Sequence, residues 1–352
     1  MRNEFALDIV ETAYTLGTDD RTWLQGLAAR FGKLNPHPAG AMAVIYEYLP
    51  PPFRATTIEH AHTEAVSTER MLEAFFDLES FAAQHPSHSS RLHANTVCET
   101  ASEFIEQEAG RGALEALYSR KLHALGVYDA FNVQGTTLSG RALCLIAPTR
   151  TPAAVPAATR AVWQRVAVHL GAALRLRTAL ADLPQDKVLG EATAVFDART
   201  GRCAHATGAA REGPLLAKLR DAVRQVDRAR SKSVRHDAPA ALELWQGLIA
   251  GHYSLVDLFD SDGRRHVVVR ANEPKVREDR RLTRREAQAT LLAAAANDDT
   301  RGAYALGITR ETYRTHLRRA LRKLGVRDRR ALIEIALRLQ SPSEVDGGAP
   351  AP

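Results

Sequence analysis

Hydrophobic and polar positions along the first 182 residues follow two different periods. Apolar residues at helical spacing predict five helices, and apolar runs rich in strand-forming residues predict two hairpins, over 42–60 and 130–147. The last helix carries an apolar seam close to a heptad, which we expect to assist a dimer. The predicted helices cover 3–16, 20–34, 64–84, 112–125 and 157–182. The seam residues are Val162, Val166, His169, Ala173, Leu176 and Leu180.

A second pattern begins near residue 190. It predicts a strand over 192–197, a helix over 214–230 and a hairpin over 253–271 that turns at Asp262-Gly263. This order of strand, helix, strand and strand is typical of a small sensor-like α+β domain. A charged segment, 274–281, then predicts a linker.

Helix-capping signals divide residues 282–339 into four predicted helices. Thr283 and Glu286 form a capping box, and Thr309 is placed to cap a third helix over 310–324. Gly307 and Gly325 fall where two of the helices end. Asp298-Asp299 and Asp328 are the expected caps of the second and fourth helices. Two helices joined by a tight glycine-containing turn predict a helix-turn-helix.

The third predicted helix has one apolar and one basic face. Arginines and a threonine with few acids around them suit the major groove of DNA. A solvated charged surface is the alternative interpretation. The inward face carries Tyr313, Leu317, Ala320, Leu321 and Leu324. The basic face carries Arg314, Thr315, Arg318, Arg319 and Arg322.

The charge of the chain is concentrated in this same segment. The 352 residues carry a net charge of +6, and residues 282–339 hold 13 basic and 6 acidic residues. The rest of the chain holds 34 basic and 35 acidic residues and is nearly neutral. A local basic field attracts a polyanion, and we expect double-stranded DNA to be the partner.

Residues 282–339, with LTRRE at the start and LGITRETYRTHLRRALRKLGVRDRRALIEIA at the end, resemble the LuxR-type (GerE-like) DNA-binding domain of bacterial transcriptional regulators. The resemblance implies a four-helix domain whose third helix reads DNA and whose fourth supports a homodimer. It places the base contacts on Arg314, Thr315 and Arg318. It places the phosphate contacts on Thr309, Thr312, His316, Arg322 and Lys323. On the fourth helix, the apolar stripe expected at the dimer contact is Leu332, Ile335, Ala336 and Leu339, and a second stripe is Ile333 and Leu337.

Four departures from this family occur in this segment. Ala296 stands where a turn glycine is usual, and the other three lie within the helix-turn-helix. Gly302 stands where a large aliphatic residue is usual, and Tyr313 stands where a valine is usual. We therefore expect the Tyr313 ring to fill the space above Gly302, which keeps the core volume roughly constant. Asp298-Asp299 replaces a polar or basic start of the second helix, and we expect these acids to reduce DNA affinity.

The upstream region predicts an α+β fold in two sensor-like domains ahead of an all-α helix-turn-helix. Residues 122–148 resemble the end of a GAF-type domain, and residues 194–210 with 253–272 resemble a degenerate PAS-type domain. The predicted divisions are 1–182 (GAF-like, ending in a connecting helix), 183–275 (PAS-like), 276–340 (DNA-binding) and 341–352, a polar tail expected to be disordered.

Other function classes lack their sequence signals. No apolar run is long enough to span a membrane, and acids at Glu4, Asp8 and Glu11 are unlike a signal peptide, so we expect a cytoplasmic protein. Scattered serines, histidines and cysteines predict no catalytic, cofactor or metal site, although a site on His60, His62, His85, His88 and His93 is conceivable.

Three functions stay open at this point. The first is a transcriptional regulator that responds to a small-molecule or protein signal. The second is a ligand-binding or enzymatic N-terminal half with a basic oligomerisation module, and the third is a protein-binding scaffold with a degenerate helix-turn-helix.

Overall fold

The computed structural model is a mixed α+β structure with two antiparallel sheets and a group of helices near the C-terminus. It describes residues 5–16, 18–49, 54–64, 69–73, 98–103, 122–137, 141–152, 154–180, 192–211, 213–245, 253–259, 263–271, 281–295, 299–326 and 332. The predicted α+β class is thereby confirmed, whereas the sensor-domain types stay predictions.

The first sheet is built from both predicted hairpins. Its strands in chain order are β1 (Met42–Leu49), β2 (Arg54–His62), β3 (Cys98–Thr100), β4 (Asp129–Thr136) and β5 (Arg141–Thr149). Their order across the sheet is β2-β1-β5-β4-β3, and every neighbouring pair is antiparallel. Both faces of this sheet are apolar. Ala43 and Ile45 of β1 belong to one buried cluster, and Met42 and Val44 belong to another.

Three helices pack on one face of this sheet: α1 (Ala6–Ala13), α2 (Asp20–Gly32) and α3 (Ala157–Leu180). Helix α3 lies so close to β4 that a β-carbon on Gly135 would be 2.3 Å from the Gly171 backbone nitrogen. Only glycine fits such an approach. Helix α2 is capped by Asp19, whose Oδ1 accepts the Thr22 N–H at 2.9 Å.

The second sheet contains an additional strand that the sequence pattern did not predict. In chain order the elements are β6 (Ala194–Asp197), β7 (Cys203–Ala206), α4 (Gly213–Arg230), α5 (Lys232–Arg235), α6 (Ala238–Trp245), β8 (Tyr253–Phe259) and β9 (Arg265–Ala271). The strand order is β7-β6-β9-β8. The predicted order of strand, helix, strand and strand is therefore wrong. Strand β7 was missed because it is short and lacks a run of buried apolar residues.

The C-terminal helices follow the predicted caps. They are α7 (Arg284–Ala295), α8 (Asp299–Leu306) and α9 (Arg310–Leu324). The capping box is present, because Thr283 N–H donates to Glu286 Oε2 at 2.8 Å and Glu286 N–H donates to Thr283 Oγ1 at 3.3 Å. Gly307 and Gly325 both have positive φ, at 61° and 68°, where the helices end. Asp299 is the first residue of α8 rather than its cap.

The apolar seam of α3 is buried inside the chain. Val162, Val166, His169, Ala173 and Leu176 are buried, and α3 packs on α1, β4, α6 and α8. The expectation that this seam assists a dimer is therefore wrong, since a buried side chain has no surface to offer a partner. The predicted helix over 64–84 is described only at 64 and 69–73, and residue 64 is not helical. The predicted helix over 112–125 is described only at 122–125, where 123–125 form a 3₁₀ turn. The predicted linker over 274–281 is described only at residue 281.

Two properties bear on how the chain is organised. One continuous cluster of buried residues joins the helix-covered face of the first sheet to the second sheet and includes Tyr304 of α8. Within the residues that the structure describes, no helix has the combination of length and apolar character that crossing a membrane requires.

Candidate nucleic-acid interface

Helix α9 is held against α7 and α8 by a fully buried tyrosine. A β-carbon on Gly302 would lie 2.3 Å from Cζ of Tyr313, so the ring occupies the space above this glycine. The Tyr313 hydroxyl donates to the Ala289 carbonyl of α7 at 3.1 Å. The sequence-based prediction of a compensating pair is therefore confirmed, and the hydroxyl finds the polar partner that a buried tyrosine needs.

A second anchor joins the other end of α9 to α7. Lys323 Nζ donates to Glu286 Oε2 at 2.7 Å, and the Glu286 side chain is only 4% exposed. Burial by itself would raise the pKa of this carboxyl, but hydrogen bonds from Lys323 and Thr283 bring that pKa below its ordinary value. Lys323 was expected at a DNA phosphate. In the structure it forms an ion pair with Glu286 that ties α9 to α7.

The outward face of α9 presents basic side chains to solvent. Arg318, Arg319 and Arg322 are exposed, and among the described residues none of them has an acidic partner. Ionised arginines in this state can contact phosphates or base edges without first breaking an ion pair. Of the expected DNA contacts, the structure therefore places Arg318 and Arg322 where a ligand can reach them.

The hydroxyl groups expected near DNA are already engaged within the helix. Thr309 caps α9, because Thr312 N–H donates to Thr309 Oγ1 at 3.2 Å, and both threonines are exposed. Thr315 Oγ1 donates to the Glu311 carbonyl at 2.9 Å and is half-buried, as is His316. The hydroxyl oxygens of Thr309 and Thr312 also lie 2.8 Å apart. Thr315 Oγ1 donates in its bond to Glu311 and therefore keeps its acceptor lone pairs for another contact.

Arg314 differs from the other arginines of this face. Its Nε donates to Asp299 Oδ2 at 2.8 Å, with the Arg314 side chain 40% exposed and that of Asp299 22% exposed. The pair bridges the start of α8 and the second turn of α9. One of the two acids that we expected to reduce DNA affinity, Asp299, is therefore in direct contact with Arg314, an expected base-reading residue.

A buried chain of hydrogen bonds connects α8 to the upstream elements. Tyr304 of α8 donates its hydroxyl hydrogen to the Leu242 carbonyl of α6 at 2.8 Å. His169 Nε2 lies 3.0 Å from the Tyr304 hydroxyl oxygen. His169 Nδ1 lies 3.3 Å from the Tyr14 hydroxyl that follows α1. We call Tyr14, His169 and Tyr304 the tyrosine–histidine joint.

The direction of each bond in the joint follows from elementary chemistry. Burial lowers the pKa of His169 to about 3, so its ring is neutral and carries one N–H. Because Tyr304 donates to Leu242, its oxygen must accept from Nε2–H of His169. Nδ1 is then the acceptor of the Tyr14 hydroxyl. Burial also raises the pKa of both tyrosine hydroxyls, which keeps them protonated as donors.

The joint is enclosed by further contacts. The guanidinium of Arg165 lies 5.5 Å from the Tyr304 ring centroid and forms an ion pair with Glu243 of α6 at 3.0 Å. His169 and Trp245 meet edge to face, with centroids 6.3 Å apart. The upstream elements thus pack against α8, while α9 packs mainly on α7 and α8. Arg318, Arg319 and Arg322 of α9 stay exposed to solvent in this arrangement.

Of the residues expected at the dimer contact, the structure describes only Leu332. Leu332 is helical and fully buried within the single chain, which leaves its side chain no exposed surface. The dimer contact on this stripe stays a prediction. Ile335, Ala336 and Leu339 lie outside the described residues, as does the expected cap Asp328.

The other sequence candidates gather no further site. His60 and His62 lie on β2, whereas His85, His88 and His93 are outside the described residues. In the described part of the chain, no three histidine, cysteine or acidic side chains come together as metal ligands would. Cys98 and Cys144 are buried, as expected of small apolar residues.

Sequence reasoning missed Tyr304 and Tyr14, because a lone tyrosine in a helix carries no signal of its distant partners. A comparison of the chain with known protein families and with curated proteins finds no match.

Proposed function

We propose that the chain is a sequence-specific DNA-binding transcriptional regulator of the LuxR type, acting in the cytoplasm as a homodimer and without catalytic activity of its own. The observation that carries this proposal is the capped arrangement of α7, α8 and α9 with the arginine face of α9 exposed. A helix presented in this way can enter a major groove, with its N-terminal half nearest the base edges.

The electrostatics support the same conclusion. The exposed Arg318, Arg319 and Arg322 are offered without acidic partners among the described residues, in the segment that holds the positive excess of the chain. A solvated surface helix needs no such excess. A helix that neutralises phosphates does, because each contact releases a condensed counterion.

The tyrosine–histidine joint supports control of this helix group by the upstream elements. In this proposal a signal, either a small molecule or a protein, changes the packing of the upstream elements, and α3 transmits the change to α8 through His169 and Tyr304. A ligand can change DNA binding only by favouring one of two arrangements of the upstream elements and the helix group. In this proposal the two arrangements differ in the contacts of the tyrosine–histidine joint.

Binding of the full chain to random double-stranded DNA at two salt concentrations tests the function. We expect a steep fall of affinity with salt, and each of Arg319→Ala and Arg322→Ala should reduce the slope of log affinity against log salt by about 0.9, one phosphate contact each. Arg199→Ala, which removes an exposed arginine far from α9, is the matched control and should leave the slope unchanged. Equal slopes in all four proteins would contradict the proposal.

A further inference from the structure

The Asp299–Arg314 pair stands out on the expected DNA face. It joins α8 to α9 across the turn at Gly307, with Arg314 Nε bonded to Asp299 Oδ2 at 2.8 Å. Arg318, one turn further along α9, is exposed and has no acidic partner in the described part of the chain. The two arginines expected at base edges therefore differ in one respect: Arg314 is oriented by a carboxylate, and Arg318 is not.

An acid at this place has an electrostatic disadvantage for phosphate binding. Asp299 is the first residue of α8, where the positive end of the helix dipole would otherwise favour a phosphate. A carboxylate there repels the DNA backbone and offsets part of the positive potential at the start of α8. If α8 served only to hold phosphates, Asp299 would oppose its role, so its contact with Arg314 calls for a different account.

That account follows from how arginine recognises a base. A guanine is read by two N–H groups of the guanidinium fork, and its geometry must match the O6 and N7 acceptors in the major groove. A carboxylate bonded at Nε fixes the plane of the guanidinium and reduces the rotamer freedom that binding would otherwise remove. Orientation of this kind improves discrimination between bases more than it improves affinity.

We propose that Asp299 is a positioning residue that sets Arg314 as a reader of guanine, so that each half-site of the DNA target carries a guanine opposite Arg314. The proposal rests on the DNA-binding function above. It keeps the initial expectation that Asp299 lowers general affinity for DNA and adds that this acid raises selectivity at one base pair.

The test begins with selection of binding sites from random double-stranded DNA by the full wild-type chain. Each base pair of the selected site is then replaced in turn, and affinities are measured by competition. Arg314→Ala identifies the base pair that Arg314 reads, as the position at which this variant no longer discriminates. We expect Asp299→Ala to lose about tenfold in discrimination at that same base pair and to retain discrimination elsewhere.

Glu311→Ala is the matched control, because it removes one exposed acidic charge from the first turn of α9. Both acid-to-alanine variants should bind random DNA more tightly than the wild type, but only Asp299→Ala should change base preference. The double variant Asp299→Ala with Arg314→Ala should discriminate no worse than Arg314→Ala alone. If Asp299→Ala melts below the assay temperature, Asp299→Asn replaces it, with a smaller loss at the same base pair.

The outcomes separate the two proposals. A wild-type chain that enriches no site overturns the proposed function. An enriched site at which Asp299→Ala keeps the full preference for guanine, or prefers it more strongly once this ion pair is removed, overturns the role of Asp299 while the DNA-binding function stands. Loss of discrimination spread evenly over all base pairs likewise counts against a positioning role.

Discussion

At Gly302 the room for a side chain is already taken by the Tyr313 ring. This ring is fully buried and held by its hydrogen bond to Ala289, so it cannot move aside easily. The glycine weakens α8 as an isolated helix, because glycine is a poor helix former. The tyrosine compensates by filling the core, and the two residues therefore act as one unit.

We expect Gly302→Ala to destabilise the chain by about 1–3 kcal/mol through overpacking, even though alanine improves helix propensity by about 1 kcal/mol. The same change beside Tyr313→Val should be tolerated, since valine leaves the space free. Thermal melts of both single variants and the double variant measure the coupling. Gly26→Ala, in the interior of α2 with no contact closer than 3.4 Å, is the control and should not destabilise. Additive effects of the two changes would contradict the compensation.

Between elements, the tyrosine–histidine joint is sensitive to acid. The pKa of His169 is lowered from 6.5 to about 3 by burial, so the folded chain keeps the ring neutral while the unfolded chain protonates it. A group of this kind contributes its full stability above pH 6.5, and that stability is lost progressively as the pH falls towards 3. The groups around the ring are Tyr14, Tyr304 and Trp245, with Arg165 beyond Tyr304.

We therefore expect His169 to account for a loss of about 2 kcal/mol in the free energy of unfolding between pH 7 and pH 5, at about 1.4 kcal/mol for each pH unit below 6.5. Denaturant unfolding of wild type and His169→Gln at both pH values isolates this contribution, because glutamine does not titrate. The stability gap between the two proteins should shrink on acidification. His205→Gln, at an exposed position, should show a constant gap; a constant gap for His169→Gln as well would refute the assignment.

On the scale of the whole molecule, the buried Leu332 narrows the choice of dimer surface. Helical spacing places Ile333 and Leu337 on a different side of the predicted 329–339 helix from the buried Leu332, and we expect this second stripe to face the partner. The buried α3 seam is no longer available to assist. A dimer of this kind would place two recognition helices on one face of DNA, as paired half-sites require.

We expect the wild-type chain to sediment as a dimer at tens of micromolar and Leu337→Glu to sediment as a monomer, because a buried unpaired carboxylate opposes association. Tyr128→Glu is the control, since Tyr128 is an exposed large apolar residue in a distant part of the chain and is 43% exposed. A wild-type chain that is monomeric both with and without DNA would exclude the proposed dimer.

The sequence by itself determined the local structure of the C-terminal helices and both predicted hairpins of the first sheet. Helix ends could be predicted from single residues, because caps act through backbone groups only a few residues away. These residues are Thr283, Thr309, Gly307 and Gly325. The Gly302–Tyr313 pair was also within reach, since the two residues lie on adjacent helices of a recognised pattern. Periodicity of two and of 3.6 is likewise a local property, and it located most helices and strands.

Only the tertiary structure decided which contacts join distant elements. The α3 seam has the spacing of a dimer interface, and the fold instead buries it against α1, β4 and α8. Tyr14, His169 and Tyr304 are separated by up to 290 positions and meet in one hydrogen-bonded chain, which no local pattern encodes. The same holds for Asp299 and Arg314, whose pairing depends on the angle between two helices. A pattern records which side of an element is apolar or charged, whereas what that side meets is fixed by the packing of the whole chain.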